Sequence, residues 1–348
     1  MVLSLQLIKE IGEAFTQRNF HCRPEQSQIK LYSEKDWKEF CKRNRFEEGG
    51  EAVYVPKVKT AYFRAGSPFF IPNYFHEYFG HGLLYEHSLL GKELEAVLHT
   101  DSDAQEFLQR KRERGMLGFV ASNRENYEGF ALWLEEQLCK ASGNVDLWEQ
   151  KYRGFSVQDR ELVAFFQEAE QVLTAFGLSA QMGFPKYYTP NTLEILLRRW
   201  YASDSHPIDL ALVYGSQKPY SDIDLLVVSP SPSRNIFNGW LDIYHLERSE
   251  FFALVEHFDI SVTEALTTGT VICGKGMYEA AKKQMSTQRI TKKAIRHNKR
   301  RAEELRAKAD SILSEREQKA DLSYAQSYQR TAQLLGQGKR VLGRADLV

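Results

Sequence analysis

Residues 73–87 read NYFHEYFGHGLLYEH, which places His76, His81, His87 and Glu77 in a run that is otherwise aromatic and aliphatic. Imidazoles and a carboxylate on an apolar helix are costly unless something pairs them, and a divalent cation is the most effective partner. The residue types suit zinc, which takes nitrogen and oxygen donors. The spacing is unusual. In the common His-Glu-x-x-His arrangement the imidazoles are four apart and share one helix face, whereas His76 and His81 are five apart. On a regular α-helix that separation turns them about 140° away from each other, too far for one ion. A one-residue π-type bulge would restore the alignment, and Gly80, immediately before His81, lowers its steric cost.

A second constellation lies further along. IDLALVYGSQKPYSDIDLLVVS, residues 208–229, reads as a buried strand ending at Gly215-Ser216, a tight turn, and a strand opening with Asp222 and Asp224. Alternation puts the two aspartates on one face. Carboxylates so placed repel unless cations lie between them, and paired magnesium ions are the usual solution in phosphoryl and nucleotidyl transfer. NGWLDIYHL supplies a third acid, Asp242, among strand-forming residues.

Both stretches resemble known families. HEYFGHG is similar to the His-Glu-x-x-Gly-His signature of the dipeptidyl peptidase III metallopeptidases, and ENYEGFALWLEE, residues 125–136, offers Glu128 where those gluzincins carry a glutamate ligand on a later helix. The resemblance implies His76, His81 and Glu128 as zinc ligands, Glu77 as the base that activates water, and a peptide or protein as substrate. The aspartate stretch resembles the DNA polymerase β superfamily, in particular the minimal nucleotidyltransferases, over residues 190–281. That resemblance implies Gly215 and Ser216 on the triphosphate of an NTP and Asp222, Asp224 and Asp242 as catalytic residues holding Mg2+. LTTGTVICGKG, residues 266–276, looks like the closing strand and turn. The spacer QKPYS is short and lacks the basic, glycine-containing turn of many members, which leaves Lys218 to supply charge to the phosphates or simply to be solvated.

Plainer readings stay open. His76 and His81 could be satisfied core histidines. Glu77 and His81, four apart, share a face without any bulge, and with Glu128 they would make a carboxylate-rich site for iron or manganese. Glu125 competes with Glu128. Tyr74, Tyr78, Tyr85, Tyr127, His87 and His99 are all candidates to stabilise an oxyanion. The aspartate fold could be retained without catalysis, as a sensor of nucleotides or RNA.

Elements must position these groups. Residues 2–18 form an amphipathic helix, Glu34–Asn44 a second with Ser33 as cap and Trp37 and Phe40 inward, and residues 47–66 a hairpin punctuated by Gly49-Gly50 and Pro56. The metal helix follows Pro72. A polar helix spans about Lys92–Arg114, the glutamate helix about Glu125–Ala141, and another helix Val157–Phe176 with Gly177 as its stop. LSAQMGFPKYYTPN is the linker. Beyond Lys282 the chain is densely basic and helical in pattern, suited to a phosphate backbone of nucleic acid or to a solvated face, and a last helix covers Leu322–Leu335.

The expected class is α+β. Residues 1–183 form a mostly helical, metallopeptidase-like domain with a small hairpin, residues 184–281 a nucleotidyltransferase domain with a mixed sheet, and residues 282–348 a basic helical segment. The 348 residues suffice for two cores. Formal net charge is zero. Cys22, Cys41, Cys139 and Cys273 show no C-x-x-C pairing, which suits free thiols in a reducing compartment. With no signal-peptide pattern and no apolar run of ~18 residues, a cytoplasmic, non-membrane protein is expected.

Overall fold

A computed structural model describes residues 4–44, 46, 49–99, 124–202, 207–237, 239–310 and 315–347. The chain is mixed α+β and divides into two compact units. The first runs to Tyr187 and includes residues 218–220 and 239–240; the second runs from Tyr188 and takes in the remainder, including the basic C-terminal helices. No helix among the described residues is long and apolar enough to cross a membrane.

In the first unit, helix α1 (Leu5–Phe20) starts at Ser4, whose hydroxyl accepts the Leu7 N–H at 3.2 Å. It is followed by β1 (Gln28–Tyr32), α2 (Glu34–Asn44), β2 (Ala52–Val55) and β3 (Thr60–Arg64). Helix α2 has the expected bounds, with Ser33 accepting from Asp36 N at 3.2 Å and Trp37 buried, its indole donating to Gly50 O at 2.9 Å. The hairpin forms between β2 and β3, but β3 is the centre of a three-stranded sheet because β1 adds in parallel on its other side. Strand β1 went unpredicted: QIKLY is a half-exposed edge strand, with Leu31 56% exposed, so its apolar residues do not trace one buried face.

Next come α3 (Phe70–Tyr74), a π-helical turn (Phe75–His81), α4 (Gly82–His87) and α5 (Leu89–His99). Pro72 lies inside α3 rather than before it, in the first turn, where a missing N–H costs nothing. The expected helix to Arg114 extends past His99 into residues outside those described. Then follow α6 (Arg124–Ala141), α7 (Val145–Arg153) and α8 (Val157–Gln181). Gly177 does not end α8. The backbone breaks earlier, at Thr174 (φ 63°, ψ 169°), and the helix resumes to Gln181 because Leu178, Ala180 and Met182 are fully buried; apolar burial outweighs the roughly 1 kcal/mol that glycine costs a helix.

The second unit begins with α9 (Pro190–Trp200), capped by Thr189 with proline in its first turn. Strands β4 (Leu210–Tyr214), β5 (Ile223–Ser229), β6 (Arg234–Phe237), β7 (Leu241–Glu247) and β8 (Thr270–Cys273) make a mixed sheet in the order β6-β7-β5-β4-β8. Only β5 and β7 are parallel. Helices α10 (Arg248–Glu256), α11 (Ile260–Thr268), α12 (Lys275–Thr287), α13 (Lys292–Ala309) and α14 (Glu315–Gly336) complete it. Leu210, Leu212, Leu226 and Val228 of the sheet pack against Phe251, Val255, Val262, Leu266 and Met285 of the helices. Burial on both faces explains the unbroken apolar run of β5.

Candidate functional site

The π-helical turn resolves the five-residue spacing. Its hydrogen bonds reach one residue further than in an α-helix, as in Gly82 N–H to Glu77 O, so a residue five ahead returns to the same side. His76 and His81 consequently meet with their Nε2 atoms 3.1 Å apart and their rings nearly perpendicular, at 83°. Gly80 serves a further purpose: a Cβ there would sit 2.7 Å from the Cβ of Ala131, so glycine lets α6 approach the turn.

That approach delivers Glu128. Its Oε2 lies 3.3 Å from His76 Nε2 and 3.6 Å from His81 Nε2, closing a triangle of three donor atoms. Donors held tetrahedrally at about 2.05 Å from a zinc ion stand about 3.3 Å from one another, which matches these edges. Glu77 is buried beside them, with a carboxylate oxygen within 4.8 Å of a nitrogen on each ring. The side chain of Glu125 is outside the described residues. Two imidazole lone pairs and a carboxylate can face one another only around a cation, either a proton or a metal.

The proton affinities reflect that crowding. Burial opposes charge on His76, but hydrogen bonds to Glu128 and Glu135 and the nearby carboxylates push it up to about 10. Burial alone would raise Glu128; His81 and His76 instead hold it far below the ordinary carboxylate range. A metal ion bound there would displace the shared proton.

Behind the triangle stands a pair that sequence reasoning missed. His76 Nδ1 donates to Glu135 Oε2 at 3.1 Å, fixing the tautomer that leaves Nε2 free for a cation. Glu135 is fully buried, and Lys151 of α7 donates to both of its oxygens at 2.8 Å. Burial pushes the Glu135 carboxyl up, but Lys151 and His76 outweigh it and hold the group below its usual range. The signal for Glu135 was available: it lies two helical turns beyond Glu128 on a stretch of Trp and Leu, where a carboxylate demands a partner. Lys151 carried no such signal.

Of the oxyanion candidates, Tyr127 has its ring 5.7 Å from that of His81, and the Tyr85 phenol is buried within the field of Tyr127 and Glu128. Tyr74 and Tyr78 stack on each other at 5.2 Å. His87 bonds the Arg23 carbonyl at 2.8 Å, a structural role. The His99 side chain is outside the described residues.

In the second unit the three aspartates gather at one end of the sheet. Asp224 and Asp242 are directly paired on the adjacent strands β5 and β7, and exposed Asp222 precedes β5 by one residue. Gly215 adopts φ +75° against Asp224, and any side chain there would collide with the carboxylate. Burial, then Asp222 and Asp242, push Asp224 up to about 6, with Arg344 acting in the opposite direction. Burial and Asp222 raise Asp242 as well. Ser216 is exposed in the loop, which Ser221 closes by donating to Ser216 O at 2.9 Å. Lys218 is also exposed but groups with the first unit, whereas Gly215 and Ser216 belong to the second. On α13, Lys292, Lys293, Arg296, Lys299 and Arg300 are exposed.

Neither the protein-family models nor the curated proteins contain a match to this chain.

Proposed function

We propose that the first unit is a zinc-dependent hydrolase acting on peptide bonds. The observation that carries this reading is the triangle of buried His76 Nε2 and His81 Nε2 with half-buried Glu128 Oε2, with edges of 3.1, 3.3 and 3.6 Å. These three residues would hold the ion, leaving one tetrahedral position open. Zinc in such a set acts as a Lewis acid and lowers the pKa of water to about 7. Glu77 is the proton carrier: its carboxylate takes a proton from the attacking water and delivers it to the departing amine. Glu135 holds His76 in the tautomer the site requires. Metal analysis and peptide cleavage test the reading together. Glu77→Gln should keep its zinc and lose hydrolysis, and His81→Ala should lose both. Wild-type protein that takes up no zinc would end the proposal.

A second reading is favoured for the second unit by the direct pairing of Asp224 with Asp242 and the placement of Asp222 beside them. These carboxylates would hold Mg2+ and an NTP for nucleotidyl transfer, with Gly215 and Ser216 at the triphosphate and the exposed cations of α13 available to a nucleic-acid acceptor. Incorporation of labelled nucleotide that disappears in Asp224→Asn supports transfer, while NTP or RNA binding without turnover supports a sensor. All four cysteines are free thiols, which suits a cytoplasmic protein.

A further inference from the structure

We propose that Lys151 is a positioning residue of the metal site, acting on His76 through Glu135; the proposal rests on the reading of His76, His81 and Glu128 as ligands. The hydrogen bonds of Lys151 go to Glu135 rather than to any of the three. Lys151 belongs to α7, a separate helix from both ligand-bearing elements, and its Nζ donates to Glu135 Oε1 and Oε2 at 2.8 Å each.

The geometry explains why a second residue is needed. Glu135 has no exposed surface, and the hydrogen bond from His76 engages only Oε2. A buried carboxylate bonded through one oxygen can still rotate about its terminal torsion, which is broad. Lys151 bonds both oxygens and removes that freedom, so Oε2 is presented to His76 Nδ1 in one orientation. It also supplies the opposite charge that a buried carboxylate requires. The Lys151 ammonium is itself held from the other side, 5.7 Å above the ring of Phe155. Orientation therefore passes from α7 to α6 and on to the π-helical turn. His81 has no equivalent support: its Nδ1 is buried without a hydrogen-bond partner among the described residues. His76 is then the anchored ligand and His81 the adjustable one, and loss of Lys151 loosens the anchor of His76.

The test uses the full-length protein and two readouts, zinc affinity by competition with a chromophoric chelator and the visible spectrum of the Co2+-substituted protein. Lys151→Met should weaken zinc binding about tenfold or more, the usual effect of removing an outer partner, and should alter the cobalt spectrum. Lys151→Arg, which keeps the paired bonds, should stay near wild type. Glu135→Gln/Lys151→Met leaves no unpaired buried charge, so it keeps the experiment informative if the single variant folds poorly. It should bind zinc no more weakly than Glu135→Gln alone, because Lys151 acts through Glu135. Additive losses in the double variant, or wild-type affinity and spectrum in Lys151→Met, would overturn the proposal. Wild-type protein that binds neither zinc nor cobalt would instead overturn the metal reading itself.

Discussion

Substituting Gly80 by alanine isolates the packing that brings together the two elements carrying the proposed ligands. The added methyl would lie 2.7 Å from Ala131 Cβ and 2.9 Å from Ala131 Cα. Carbon atoms ordinarily meet at about 3.5 Å or more, so the turn and α6 must part by at least roughly 0.8 Å. Ala131 is one helical turn from Glu128 and on the same side, so the displacement carries to Glu128 Oε2. Metal–ligand distances tolerate only about 0.2 Å. Overpacking of this kind costs about 1–3 kcal/mol. Alanine returns roughly 1 kcal/mol of helix propensity relative to glycine, which masks part of that cost in overall stability but not in the triangle. Zinc affinity should therefore fall about tenfold or more, at 1.4 kcal/mol per decade, while the thermal midpoint of the metal-free protein moves little. Chelator competition measures the first and circular dichroism the second. If Gly80→Ala bound zinc as tightly as wild type, the close approach at Ala131 would not be what places Glu128.

Two pH experiments probe the second unit. Asp224 has a folded pKa of about 6 against an ordinary 3.8, so the folded state holds its proton more tightly than the unfolded chain. Stability must then fall as pH rises from about 4 to 6; the ceiling is roughly 3 kcal/mol at 1.36 kcal/mol per unit, and because the carboxyl is partly exposed, solvent screening brings the expected loss nearer to about 1 kcal/mol. Asp224→Asn in EDTA should be more stable than wild type at pH 8 and show no such gain at pH 4; equal midpoints at pH 8 would mean the carboxylates are not crowded. His257 shows the opposite slope, since burial and then the charges of His297 and Lys293 lower its pKa. Protonation favours the unfolded chain, so stability drops as pH falls below 6.5, and His257→Gln should flatten the melting profile between pH 7.5 and 5.5. An unchanged profile would rule His257 out as the source.

What was legible in the sequence was whatever a short run of residues determines. The spacing of His76 and His81 called for a one-residue bulge if both were to face one ion, and Gly80 marked where; the distortion extends over Phe75–His81. The bounds of α2 followed from Ser33 and the inward Trp37, although Cys41 rather than Phe40 is the second fully buried residue of that helix, and the β4-turn-β5 unit followed from its alternation around Gly215. Long-range placement was not legible. Glu135 is 59 residues from His76, and nothing local to either residue specifies the partner. Strand β1 depends for its existence on β3, 28 residues later, and its own composition argues weakly for it. Gly177 misled because a local stop signal competed with burial contributed by distant chain.

The same division explains why the two candidate sites differ in what can be inferred from them. At the acidic site the key pairing, Asp224 with Asp242, is a register of adjacent strands, so backbone hydrogen bonds set it and side chains have only to extend from it. At the histidine site the backbone turn sets only the two imidazoles. The third donor and its support come from α6 and α7, whose alignment with the turn includes one close glycine–alanine contact and one buried ion pair. Substitutions at Gly80 and Lys151 should therefore impair the histidine site with every proposed ligand intact. No equally remote single substitution is expected to separate Asp224 from Asp242 without disrupting the sheet itself.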